Sequence, residues 1–241
     1  MKSQYILPLT IVVAGALIAG AVFWAGKAGT TNPNGGDTSN LTIRPYDATV
    51  DHVLGNPKAP VKIVEYMDLE CPHCKVFSTT MQQVMDYYNK NNPGQVAWIE
   101  RPFPLAQIHS KAPEEAQAAE CAAAQGGDTA YYKFVNQVFA ITPSDNGLDL
   151  AQLPVIAQQQ GLDVTKFNQC LSSGQYAKFV SDSYAEAIKE GGQGTPYILV
   201  MVNDQLVPGG NLSGDQPYES MRAIIDAVVA TLPPAVPAAT Q

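Results

Sequence analysis

Apolar positions divide the chain into stretches of different character. From Ile6 to Ala25 they are continuous apart from Thr10, and a helix of about twenty such residues, at 1.5 Å each, reaches across a bilayer core. From Gly26 to about Asn40 they almost vanish, and Gly, Thr, Asn and Pro take over, the composition of a flexible tether. From about Leu41 to Leu232 they recur with the periods of strands and helices, and Pro233-Pro234-Ala235-Val236-Pro237 opens a disordered tail over 233–241. Roughly 190 residues between tether and tail can bury one sizeable core, alone or with an insertion.

Within that region Val61–Met67 is apolar at most positions, as in a central strand covered on both faces, with Lys62 and Glu65 as interruptions. The following segment sets Cys74, Phe77, Met81, Met85 and Tyr88 on one helical stripe and stops at Asn91-Asn92-Pro93-Gly94. A second strand covers Gln95–Glu100 and closes at Arg101-Pro102-Phe103-Pro104. From about His109 to Glu190 the signals are helical. An alanine-rich helix starts at Pro113-Glu114-Glu115, and others cover Tyr131–Phe139 and Leu150–Gln160, with Gly126-Gly127, Pro143, Gly161 and Gly174 as punctuation. Tyr197–Val202 reads as a strand, Asn203-Asp204 as a hairpin turn and Gln205–Val207 as its partner. A last helix, Pro217–Thr231, turns Tyr218, Met221, Ile225 and Val228 inward. The order predicts an α/β fold with a helical insertion at about 109–190.

The first 25 residues read as a transmembrane anchor or a signal peptide. Ala14-Gly15-Ala16 and Ala19-Gly20-Ala21 resemble cleavage sites, but both lie inside the apolar run rather than after it, which favours the anchor. On either reading the domain is exported to a compartment where disulfides persist. The net charge of -8 argues against a nucleic-acid partner.

The chemistry concentrates at Cys71-Pro72-His73-Cys74, directly after the first strand. A thiol at a helix N-terminus faces unpaired N–H groups and the positive end of the macrodipole, so its thiolate is favoured. That makes Cys71 the candidate nucleophile and leaving group. Pro72 suits a first helical turn, because it lacks an N–H and already holds the required φ. A cationic His73 would stabilise the thiolate further, and Glu70 would oppose it if close. Lowering a thiol pKa from about 8.5 to about 5 favours the thiolate by roughly 4 to 5 kcal/mol, or on the order of 100 mV in a two-electron couple. Stabilising the reduced form makes the disulfide a stronger oxidant. A zinc site would need four ligands, and Cys121, Cys170, His52, His73 and His109 supply no second close pair. No metal and no bound cofactor are expected; an inert cysteine pair is the remaining bland reading.

Taken together, these residues resemble the thioredoxin-fold oxidoreductases of the DsbA type, in outline the membrane-anchored BdbD-like members. The resemblance rests on the CPHC tetrad at a strand-to-helix junction, Glu65 six positions before Cys71, Arg101-Pro102-Phe103-Pro104-Leu105, the helical insertion, and Gly194-Thr195-Pro196 before a hairpin. It implies that Thr195-Pro196 is a cis-proline loop opposite the disulfide, where the Thr195 backbone can pair with an extended substrate. It also implies that Glu65 is a buried carboxylate relaying a proton to or from Cys74, against the alternative of an exposed edge-strand glutamate. Some relatives carry a second disulfide in the insertion, so the resemblance points to a Cys121–Cys170 bridge. The alternative is two reduced cysteines too far apart to join. His52 and His109 receive no chemical part.

The resulting expectation is a membrane-tethered enzyme that introduces disulfides into exported proteins with free thiols. A quinone-linked membrane partner of the DsbB or VKOR type would reoxidise it. A reductase or isomerase would use the same residues at a lower potential, although 1–40 leaves no room for a dimerisation domain of the DsbC type. A thioredoxin-fold copper chaperone could hold Cu(I) with Cys71, Cys74 and His73, but the chain lacks the CxxxC pattern such proteins show.

Overall fold

The computed structural model describes Leu41 and residues 43–232; the apolar run 6–25, the tether 26–40 and the tail 233–241 lie outside the described residues. No helix among the described residues is long and apolar enough to cross a membrane. The order is β1 (His52–Gly55), β2 (Val61–Met67), α1 (Pro72–Asn91), β3 (Val96–Pro102), α2 (Ala112–Ile141), α3 (Gln152–Gln159), α4 (Val164–Ser173), α5 (Ala177–Lys189), β4 (Tyr197–Val202), β5 (Gln205–Ser213) and α6 (Tyr218–Val229).

The strands form one sheet in the order β1-β3-β2-β4-β5. β2 and β3 are parallel and joined through α1, while β1, β4 and β5 pair antiparallel to their neighbours. β2 is thus the middle strand, and every residue of β2 and β3 is buried. This excludes the edge-strand alternative for Glu65. Lys62, the other interruption, reaches Asp204 Oδ1 at 3.0 Å.

Alternation along β2 feeds two apolar layers. Val61, Ile63 and Met67 pack with Phe77 and Met81 of α1, Phe134 of α2 and Met221 of α6. Val64 and Tyr66 pack with Ile99, Phe103, Leu199 and Ala187 of α5 on the other face. The stripe Cys74, Phe77, Met81, Met85 and Tyr88 is buried as its spacing predicts, and Tyr88 ties α1 to α6 by donating to Asp226 Oδ1 at 2.6 Å.

Several boundaries differ from the sequence pattern. β3 runs on through Arg101 and Pro102, because Arg101 is buried on the second face, where its guanidinium meets Asp51 at 2.8 Å. Within α2 the break expected at Gly126-Gly127 is present, since both residues leave helical geometry and kink the chain between two helical halves; Gly127 sits at φ 62°, ψ -156°, which glycine alone tolerates readily. Asn203 and Asp204 make the expected tight turn, with φ of 49° and 61°. Their partner strand β5 extends to Ser213 past a register shift. β1, four residues at the sheet edge, has no counterpart in the sequence reading; it is too short for its alternation to register.

Cys121 of α2 and Cys170 of α4 form a disulfide with Cα atoms 5.8 Å apart, spanning 49 positions. A loop of that length corresponds to about 4 kcal/mol in the chain-entropy account. The Cys121→Ala/Cys170→Ala protein is expected to lose about 2 to 4 kcal/mol in denaturant unfolding; a loss under about 0.5 kcal/mol would show that the bridge does not staple the insertion.

Candidate active site

β2 releases the chain at Asp68 in the middle of the sheet, and α1 begins four residues later. Pro72 occupies the start of the helix, so Cys71 becomes the cap residue, with extended φ of -78° and ψ of 121°. No side-chain oxygen caps this helix, and the Cys71 sulfur stands where one would. Its first-turn N–H groups are therefore available to a thiolate.

Cys71 and Cys74 are free thiols in this structure, and their surroundings drive them apart. The Cys71 thiol is brought down to about 6, chiefly by the hydrogen bond from Cys74. Burial opposes this, while the Thr195 side chain and the N–H groups of Cys74 and His73 assist. Cys74 is completely buried and is pushed well up, first by burial and then by its proximity to Cys71. The Asp68 N–H donates to its sulfur at 3.4 Å.

The loop before β4 closes over this pair. Thr195-Pro196 is cis, and the Thr195 carbonyl oxygen lies 3.4 Å from Cys71 Sγ. Thr195 Oγ1 is buried without a hydrogen-bond partner among the described residues, which leaves its hydroxyl free to serve a Cys71 thiolate. Glu65 is 1 % exposed, on the sheet face that carries Cys74, and its Oε2 accepts the Trp98 indole N–H at 3.0 Å. Burial pushes Glu65 up to about 8, the Trp98 bond pulls it down, and the Cys71 charge raises it again. A carboxyl so poised can exchange protons near neutral pH.

Three neighbours behave differently from the sequence expectation. His73 turns its ring into solvent and pairs with Asp215 at 2.6 Å, so its assistance to Cys71 comes through its backbone N–H. Glu70 is buried, and its carboxylate accepts the N–H groups of Gly147 and Leu148, both at 3.2 Å. That anchors the insertion to the active-site loop. His109, assigned no part from sequence, is 4 % exposed and donates through Nδ1 to Asp68 Oδ2 at 2.9 Å. Burial, the largest single effect, would lower its pKa, but Asp68, the Cys71 charge and Asp145 together raise it above the ordinary value. No local signal marks His109, since 41 positions separate it from Asp68.

A thioredoxin family model matches residues 47–227. The chain belongs to the thioredoxin family, as a DsbA-like member. Pseudomonas aeruginosa DsbA2 superposes with a TM-score of 0.61 at 26% identity, covering 76% of this chain and 96% of that one. Wolbachia pipientis alpha-DsbA1 gives 0.64 at 26% identity, covering 75% and 91%. Bacillus subtilis BdbD in its oxidised form gives 0.63 at 22% identity, covering 80% and 100%, a likeness of fold. Among curated proteins, a Na(+)/H(+) antiporter NhaA 1 of Mycolicibacterium gilvum is 30% identical over 160 residues, covering 66% of this chain. The DsbA-like chain spans about a quarter of the length of that relative, 24%.

Two outcomes test the site. Iodoacetamide should label Cys71 of the reduced protein with a midpoint near pH 6 and spare Cys74, as read by peptide mass; a midpoint at the ordinary value of about 8.5 would remove the asymmetry. Because Glu65 is raised on folding from 4.5 to about 8, it contributes stability below about pH 4.5 that is lost as pH rises toward about 8. Reduced Glu65→Gln protein should therefore lose less stability than reduced wild type over that window in chemical denaturation. Equal slopes would contradict a buried, protonated Glu65.

Proposed function

We propose that this DsbA-like chain is an exported, membrane-tethered thiol:disulfide oxidoreductase that introduces disulfides into other extracytoplasmic proteins. The observation that carries the reading is the opposed pair at one helix start: Cys71 brought down to about 6 and Cys74 pushed well up. A substrate thiolate attacks Cys71 Sγ of the oxidised pair, the Cys71–Cys74 bond breaks, and Cys74 leaves and takes a proton, for which Glu65 is the nearby source. A second substrate thiolate then attacks the substrate sulfur of the mixed disulfide. The substrate disulfide forms, and Cys71 departs as a thiolate held by the α1 N–H groups and Thr195. Two electrons have passed from the substrate dithiol to the pair.

The stabilised leaving thiolate favours donation of the disulfide over its formation. The Cys121–Cys170 bridge supports an oxidising compartment, and the apolar run 6–25 supports the tether. Regeneration requires a membrane oxidant, for which a DsbB- or VKOR-type protein is the proposed partner. Extended substrate segments would lie along the Thr195 backbone, beside Cys71.

The redox equilibrium of the full chain against glutathione, with Cys71→Ser as control, tests the assignment. A potential well above the roughly -270 mV of thioredoxin, toward the roughly -120 mV end of the range, is the expected result. A value near thioredoxin's would make the protein a reductase instead.

A further inference from the structure

His109 is a buried histidine that the exchange chemistry leaves unused. It stands between β3 and α2, where its own N–H donates to the Leu105 carbonyl at 2.8 Å and its carbonyl accepts the Ala112 N–H at 3.1 Å. It is 4 % exposed. Nδ1 meets Asp68 Oδ2 at 2.9 Å, and Nε2 faces Asp145 Oδ1 at 3.5 Å. A carboxylate oxygen stands before each ring nitrogen, and only the imidazolium carries a proton on both.

Asp68 needs that charge. Besides the His109 ring, its carboxylate accepts the N–H groups of Glu70 and Leu105 at 2.8 and 2.7 Å, three donors and no acceptor, which suits an ionised group. Burial pushes the Asp68 carboxyl up, and these bonds oppose it. Among the described residues no lysine or arginine pairs with it, so His109 is its counter-charge, without which a buried carboxylate is costly. Asp68 also governs the turn into α1: its carbonyl accepts the Cys71 N–H at 3.1 Å, and its N–H donates to Cys74 Sγ at 3.4 Å. Asp145 grips the same turn, since its N–H donates to the Glu70 carbonyl at 2.9 Å. His109 thus lies between the two aspartates that hold residues 68–71 in place.

The other charged groups of this region are engaged elsewhere or uncharged. Glu115, in the first turn of α2, faces Asp68 and Glu70 and is pushed up to about 9, first by burial, so it keeps its proton near neutral pH. Lys111 faces Glu115 and donates to the Leu148 carbonyl, while Lys75 of α1 donates to the Thr142 carbonyl at 2.7 Å. His73 turns to Asp215. Burial works against a charge on His109, and Asp68, then the Cys71 thiolate and Asp145, overcome it.

We propose that His109 is a positioning residue for Cys71: a buried imidazolium hung on Asp68, it fixes the turn that carries the thiol and sets a positive charge against the thiolate that reduction creates. When the disulfide opens, two electrons enter the pair from a substrate dithiol that gives up two protons. Cys74 keeps one. The other goes to His109 wherever the ring was neutral, and to solvent otherwise, while Cys71 remains a thiolate. The coupling is reciprocal: whatever the thiolate adds to the proton affinity of His109, the imidazolium adds to the stability of the thiolate. This deepens the exchange chemistry proposed above and rests on Cys71 being the reactive thiolate, not on the direction of exchange.

The chain has three histidines, and their ring C2–H resonances can be titrated by NMR in the full chain, oxidised and reduced, with His109→Asn identifying the His109 signal. Its midpoint should rise on reduction by about half a unit, a proton held about threefold more tightly. His109→Asn keeps an N–H where Nδ1 stands and removes the charge. At pH 7 its glutathione equilibrium should move about threefold toward the disulfide, a potential roughly 15 mV lower at about 30 mV per tenfold. That gap should close above the His109 midpoint, where wild type has lost the charge as well; a role in packing alone would keep it at every pH. A midpoint that does not rise on reduction, or a gap independent of pH, overturns the proposal. Should the Asn variant fail to fold, His52→Gln and His73→Gln assign the signal by elimination, and the two wild-type midpoints decide. A reducing potential shared by wild type and variant would sink the oxidase reading and leave these differences intact.

Discussion

The site depends on a central strand ending where a helix must begin. β2 is covered on both faces and cannot continue past the sheet, so the chain turns at Asp68 and starts α1 at Pro72. A helix start leaves N–H groups unpaired. Usually a hydroxyl or carboxylate side chain takes one of them; at this junction the residue in place is Cys71. The backbone thus stabilises a thiolate, and the same geometry buries Cys74 one turn further in. One sulfur becomes a good leaving group, and the other remains a thiol.

Around that junction, polar groups from distant segments hold the thiols in register. Asp68 receives the N–H groups of Leu105 and Glu70 and the His109 ring, while its own N–H serves Cys74. Glu70 takes two N–H groups from the insertion, and Lys75 donates to the Thr142 carbonyl at 2.7 Å. The helical insertion is therefore built into the active-site loop, and the Cys121–Cys170 bridge ties two of its helices together. Burial of so many charged groups is costly unless each finds a partner. Here they find them mostly across long stretches of sequence.

Much of this architecture was legible in the chain itself. Apolar period and turn residues place β2, α1, β4 and the Asn203-Asp204 turn nearly to the residue, because both faces of β2 and one stripe of α1 must be apolar to be buried. The spacing of Cys71 and Cys74, with Pro72 between, marks a redox pair at a helix start. Local rules operate within a turn or a strand, and these features are local. The same rules mark Gly126 and Gly127, whose non-helical φ and ψ divide α2 into two halves.

What the tertiary structure alone decided concerns groups brought together from far apart. Sequence reads Glu65 as an interruption in a central strand, and the family resemblance makes it a buried carboxylate; only the strand order sets it against Trp98 and aligns it with Glu100. His73 looks like the histidine that matters because it lies inside the motif, yet its ring pairs with Asp215 in solvent while His109, from the insertion, reaches the buried loop. A side chain's charge state follows from its burial and its partners, and both are set by which strands and helices meet. The sequence by itself determined the thiols, the strand-to-helix junction and the α/β order; folding decided what Glu65 meets and which histidine and which hydroxyl stand beside the thiols, because those partners come from distant segments.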